Sequence, residues 1–285
     1  MDTLETVARI AGIVVLAICF VLSLGSYFTK KAMVKTTPRG NPAAIEKRDF
    51  TRLGSFWMVI ALLAFALVSV VIIARIIATG HGPFSNMYEF SIAFSWGIIA
   101  VSLFFMWRYR ITIIGVVGFV LALGMLIFAS TLPSRALPLV PALQQSVLLS
   151  VHVASAVISY GALAVGFSAA VIYLLVRNRK VSWLPQPDLL ETISYRTVIV
   201  GFPFLTLTII LGAVWANIAW GRPWGWDPKE TASLVTWLIF AAYLHARVIA
   251  GWRGSRSALL LVLGFLAILF TFFGNYIFSG LHSYG

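Results

Sequence analysis

The sequence predicts an all-α polytopic membrane protein, a bundle of about eight transmembrane helices with both termini on the non-cytoplasmic side. Three observations lead there. Hydrophobic residues make up 60% of the chain and charged residues 11%, with a mean hydropathy of +0.96. Apolar runs near the ~20 residues that span a bilayer recur at 7–28, 55–78, 88–107, 111–131, 148–176, 197–216, 231–250 and 257–278. The basic residues also sit on alternating connections. Of the 21 Lys and Arg, all but Arg9, Arg75, Arg135, Arg222 and Lys229 lie in the first, third, fifth or seventh connection or at its edges. That asymmetry is the positive-inside signal. It explains the net charge of +12 as topology and excludes a nucleic-acid patch. Only helices or closed barrels satisfy the backbone in lipid, and the connections are too short for a soluble domain. The chain, 1–285, therefore reads as one membrane domain in a lipid bilayer.

Along the chain, Asp2 and Glu5 precede the first apolar run and Lys30 and Lys31 follow it. A cleavable signal needs the opposite order, so the first span is expected to remain and to enter N-terminus-out. A basic cytoplasmic loop is expected over 29–54, with a turn-rich stretch from Thr36 to Pro42. Outer loops follow at 79–87 and 132–147, the second apolar enough to lie along the interface. In the first of these, Asn86 is expected to cap the third span and Glu89 to pair with Arg75. The fifth connection carries Trp183, Pro185 and Pro187 and reads as irregular. Glycines such as Gly115, Gly118, Gly161 and Gly166 dot the spans, where small residues let helices approach closely. A single cysteine, Cys19, excludes a CxxC redox pair, and no CxxCH is present.

The segment 214–230 is external by the charge pattern. It holds Trp215, Trp220, Trp224 and Trp226, four of the ten tryptophans within twelve residues. An interfacial aromatic belt explains one or two tryptophans at a span end, such as Trp57, Trp96, Trp107 or Trp252, and explains four poorly. The intervening Gly, Pro, Asn and Arg do not make a lipid-facing helix. A broad, rigid aromatic platform for a large flat ligand is the better reading. Asp227, Pro228 and Glu230 are its supports: a helix cap, a proline at the first helical position and the capping-box spacing.

Four histidines are available. His152 lies about one turn, ~6 Å, into the fifth span, and His282 lies just past the eighth on the same side. His245 falls ~22 Å along the seventh span, close to the cytoplasmic end. His81 sits in the 79–87 loop and reads as structural. Two imidazoles flanking a tryptophan platform suit haem, whose faces want aromatic contact and whose iron takes axial imidazoles. Its propionates want cations, and Arg222 and Lys229 are nearby in sequence.

The stretch WANIAWGRPWGWDPKETASLVTWLIFAAYLHAR, with HVASAVISY, GNYIFSGLHSYG and GHGPFSNMYEF, resembles the CcsA (ResC) family of the system II cytochrome c synthase, haem-handling proteins with a tryptophan-rich WWD segment. The resemblance implies that His152 and His282 are the outer axial ligands of haem b, bound non-covalently as substrate. It implies that Trp215, Trp220, Trp224, Trp226 and Asp227 form the platform, and that His245 ligates haem on its way in. It further implies a CcsB (ResB)-type membrane subunit as partner, which would supply the second inner ligand, and apocytochrome c as acceptor. The setting would be a bacterial inner membrane, or a thylakoid membrane in a plastid or cyanobacterium. A CcmC-like haem-delivery protein shares the WWD segment but has about six spans. A b-type electron-transfer protein, or a transporter without haem, are the rivals from other classes. No residue stands out as a catalytic base.

Overall fold

In the computed structural model the described residues are 3, 5–18, 21, 42–135, 143, 146–178 and 184–278, and they form helices joined by short loops, with no strand among them. The helices are α1 (5–18), α2 (Pro42–Thr79), α3 (Met87–Tyr109), α4 (Thr112–Ser130), α5 (Ser146–Val176), α6 (Pro187–Trp220), α7 (Pro228–Val248) and α8 (Ser255–Ile277). Seven stretches, from Trp57–Thr79 within α2 to Ser255–Gly274 within α8, are long and apolar enough to cross a membrane. The expected first span, 7–28, is described as helix over 7–18 and lies outside the described residues for most of its second half. Cys19 and Trp183 also lie outside them.

Five of the expected spans coincide with α3, α4, α5, α7 and α8 to within about a turn. The other two begin earlier than hydropathy indicates: α2 starts at Pro42 and α6 at Pro187. Hydropathy locates the bilayer crossing, whereas a helix continues through polar sequence until a breaker stops it. Both proline starts suit a first helical turn, whose N–H groups have no helical partner. The basic stretch expected as loop over 29–54 is therefore helical from residue 42 onward. At 34 residues, α6 is about 51 Å long, well beyond the ~30 Å of a bilayer core.

The helix α5 is central, packing against α3, α4, α6 and α8. Its approach to α3 depends on two glycines. A Cβ on Gly97 would lie 2.5 Å from Val157 Cγ1, and one on Gly161 would lie 2.6 Å from the Gly97 carbonyl oxygen. Hydroxyls then stitch α5 to α6. Ser159 Oγ donates to the Gly201 carbonyl at 2.9 Å, and Ser155 and Thr208 share a hydroxyl contact at 2.8 Å. In lipid such interhelical bonds and close backbone approach replace the hydrophobic drive that holds soluble bundles together.

The outer ends of α1, α2 and α3 meet at a buried ionic cluster. Arg75 Nε donates to Glu89 Oε1 at 2.8 Å, and Glu5 Oε2 lies 3.7 Å from Arg75 NH1. Tyr88 donates its hydroxyl to Glu5 and carries the Arg75 guanidinium 5.4 Å from its ring centre. Arg75 also donates to the carbonyls of Ser134 and Arg135 at 2.6 and 3.1 Å, so it ties the loop after α4 to the bundle. The expected Arg75–Glu89 pair and Asn86 cap are both present. Asn86 Oδ1 accepts the Glu89 N–H at 3.0 Å, and Glu89 Oε2 takes the Ser85 N–H and hydroxyl at 2.7 Å each.

Candidate functional site

At the outer end, α3, α5, α6, α7 and α8 enclose a chamber that opens outward, with a volume of about 1210 Å³ counted to include its mouth. The walls are mainly apolar and aromatic, including Phe90, Phe94, Tyr160 and Phe272. The polar groups are few: His152 on α5, Thr208 on α6, Lys229, Glu230 and Ser233 on α7, and Thr271 on α8.

His152 is held by its neighbour helix. Its Nδ1 lies 2.9 Å from the Thr208 carbonyl oxygen. A carbonyl only accepts, so Nδ1 carries the proton and Nε2 keeps a free lone pair. Pinning one ring nitrogen on a carbonyl is how proteins fix the tautomer of a metal-binding imidazole. The ring fits because position 212 is glycine, where a Cβ would stand 3.0 Å from His152 Cε1. Thr208 and Gly212 are one helical turn apart, so a single face of α6 both holds the ring and makes room for it.

The four tryptophans divide the work rather than forming one flat surface. Trp215 (3% exposed) and Trp224 line the chamber. Trp220 stands edge-on behind Trp215, with ring centres 4.8 Å apart at 71°. Trp226 is 69% exposed and meets Trp224 edge-on at 5.9 Å. Glu230 holds this loop: its Oε2 accepts the N–H groups of Gly225 and Asp227 at 2.7 and 3.2 Å. Bringing two nearby N–H groups onto one oxygen is achieved with Trp226 in the left-handed region, φ 56°, which an L-residue adopts at a cost of about 1–2 kcal/mol. Asp227 caps α7, with Oδ1 accepting the Lys229 and Glu230 N–H groups at 2.8 and 3.4 Å, and the capping box is complete. The support role read for Asp227, Pro228 and Glu230 is what the geometry displays.

Arg222 is exposed and lies across Gly225, where a Cβ would be 2.9 Å from its Nε; it does not line the chamber. Lys229 does. The sequence offered Lys229 and Arg222 alike as cations beside the platform, and the contributions of Phe90, Tyr160 and Gly212 did not stand out in it. The one available signal was spacing: Lys229 and Ser233 share a helix face, as do Thr208 and Gly212.

His245 is exposed near the far end of α7. Sixteen positions from Lys229, it lies about 24 Å along the helix axis. Its neighbour Arg247 is buried, donating to Glu191 on α6 and lying 5.0 Å from the Tyr195 ring centre. His282 lies outside the described residues. His81 has Nδ1 2.8 Å from the Gly82 carbonyl oxygen and does not line the chamber.

A helical membrane bundle with an aromatic chamber at one end, lined among the described residues by one oriented imidazole and one lysine, defines a class: a multi-pass membrane protein with a ligand-binding cavity at the end of its bundle. The comparisons narrow the class. A family model described as "Cytochrome C assembly protein" matches residues 84–282. The cytochrome c biogenesis protein CcsA of Guillardia theta is 38% identical over 252 residues, covering 79% of this chain and 83% of that one. That of Microcystis aeruginosa is 37% identical, covering 82% and 87%. Among solved structures, the cytochrome c heme lyase CcmF superposes with a TM-score of 0.63 at 18% identity. This chain covers 95% of its own length there and spans 46% of CcmF. The fold is thus shared with part of a larger membrane protein. This chain belongs to the cytochrome c assembly protein family and functions in cytochrome c biogenesis, a process that handles haem.

Proposed function

We propose that this chain carries haem to the outer face of the membrane and holds it in the α3–α8 chamber for covalent attachment to apocytochrome c. The observation that carries this reading is His152. Its Nδ1 is committed to the Thr208 carbonyl, and its Nε2 lone pair is left for a metal inside an aromatic chamber. His282 is the second axial ligand in this reading, five residues past the end of α8. The ligand is haem b, taken as substrate, with Trp215 and Trp224 against the macrocycle. His245, exposed at the inner end, ligates haem on its way in together with a histidine of a CcsB (ResB)-type subunit. The membrane is a bacterial inner membrane or a thylakoid.

At the outer site the two thiols of a CxxCH segment add across the two vinyl groups. Each sulfur bonds to one vinyl carbon and each thiol hydrogen goes to the other, so no external oxidant or reductant enters the addition. The chain contributes position: fixing the ring removes orientational freedom that the free reactants would have to lose. The CxxCH histidine then replaces one axial imidazole and the product leaves.

The test is the haem content and absorbance spectrum of the purified complex carrying His152→Ala or His282→Ala. Outer haem falls in both and added imidazole restores part of it. Unchanged spectra in both variants would sink the axial-ligand assignment.

A further inference from the structure

Lys229 brings a positive charge into the chamber, and among the described residues no carboxylate pairs with it directly. Lys229 is the single cationic side chain lining it among the described residues. Its ammonium lies 5.4 Å from the centre of the Phe90 ring. No carboxylate of a described residue comes within ion-pair distance of it, although three other ion pairs are formed elsewhere. Of the nearest acids, Glu230 Oε2 holds two loop N–H groups and Asp227 Oδ1 caps α7, and Asp227 acts on the ammonium only through its charge, without an ion-pair contact. A half-buried ammonium in an apolar chamber with no carboxylate at ion-pair distance is unfavourable. The arrangement becomes favourable when the ligand itself brings an anion.

We propose that Lys229 is the carboxylate anchor of the chamber, pairing with one haem propionate and thereby fixing the rotation of the ring about its iron–His152 axis. This rests on the function proposed above and adds the specificity element that reading lacks. One axial ligand leaves a flat macrocycle free to turn. A second attachment at its rim removes that freedom. Haem carries its propionates and its vinyl groups on different parts of the rim, so an anchored propionate dictates where the vinyl groups stand for the incoming thiols. Arg222, the other candidate cation, does not line the chamber and has no part in this. Substitution of Lys229 leaves the cap of α7 in place, because Asp227 binds its backbone N–H and not its side chain.

The experiment compares haem with haem dimethyl ester, in which both propionates are uncharged, on the full chain with its partner subunit. Transfer to apomyoglobin gives the off-rate. Lys229→Met speeds loss of haem by roughly tenfold to a hundredfold, the range for a charged hydrogen bond, and Lys229→Arg recovers part of the retention. The ester leaves the unaltered protein fast, and Lys229→Met does not speed it further. Equal acceleration for haem and ester, or no acceleration of haem, overturns the anchor while leaving the His152 site standing. Failure of the unaltered protein to bind haem at all overturns the site itself.

Discussion

The two histidines at opposite ends of the bundle have opposite surroundings. His152 has its ring proton on the Thr208 carbonyl, a glycine opposite its Cε1 and an aromatic chamber around it. His245 stands exposed on α7, with its neighbours Arg247 and Glu191 engaged with each other. One imidazole belongs to a site whose walls come from five helices of a single chain. The other stands on an exposed helix face outside the chamber. The difference teaches that, in the function proposed, holding haem outside is the work of this chain's own walls and collecting it inside is a shared task.

The strongest way to break this comparison is to separate supply from holding. In cells, His245→Ala is expected to deplete haem from the whole complex. Haem added to the purified His245→Ala protein is expected to load the outer site normally, read as the same spectrum as the unaltered protein. Equal failure in both settings would mean that the two ends are not independent sites.

A second prediction concerns the wall. Trp215→Ala is expected to destabilise the protein by about 3–5 kcal/mol, as for a buried aromatic in a packed cluster, measured by thermal unfolding in detergent. Trp215 packs with Leu143, Leu149 and Val153, so the loss is a loss of chamber wall. An equal effect from Trp226→Ala would contradict the division of labour among the tryptophans.

The third concerns the latch. Glu230→Gln is expected to weaken the hold on the Gly225–Asp227 loop by about 1.5–3 kcal/mol, the scale for charged hydrogen bonds, and to speed haem loss with it. Hydrogen exchange of the Gly225 and Asp227 amides is the measurement. The smallest effect is at the rim: Trp226→Gly is expected to stabilise the loop by up to about 1 kcal/mol by relieving its positive φ. A clear loss of stability there would show Trp226 to be held by more than the loop's geometry.

The sequence was most legible where the chemistry is local. The Asp227–Glu230 capping box, the Asn86 cap and the Arg75–Glu89 pair follow from spacing or from few available partners, and all three are present. Helix positions followed from apolar runs, and the early starts of α2 and α6 were hidden because their first turns are polar. The chamber was half-legible. Its histidine and tryptophans stood out as residue types. Which tryptophans face inward, and that Lys229 rather than Arg222 does, depend on the left-handed turn at Trp226 and on the angle at which α7 leaves the loop. No local pattern encodes either. Gly212 could not be told from the other span glycines until His152 was seen beside it.

Glu230 has a consequence of its own. The same carboxylate that binds the Gly225 and Asp227 amides belongs to a side chain forming the chamber wall. Loop order and occupancy then share a coupling free energy, and such coupling is reciprocal. Whatever steadiness the loop lends to a bound ligand, the ligand returns to the loop in equal measure. For a ligand that touches Glu230, those two amides would serve as a gauge: their exchange with solvent would read how full the chamber is, without any signal from the ligand.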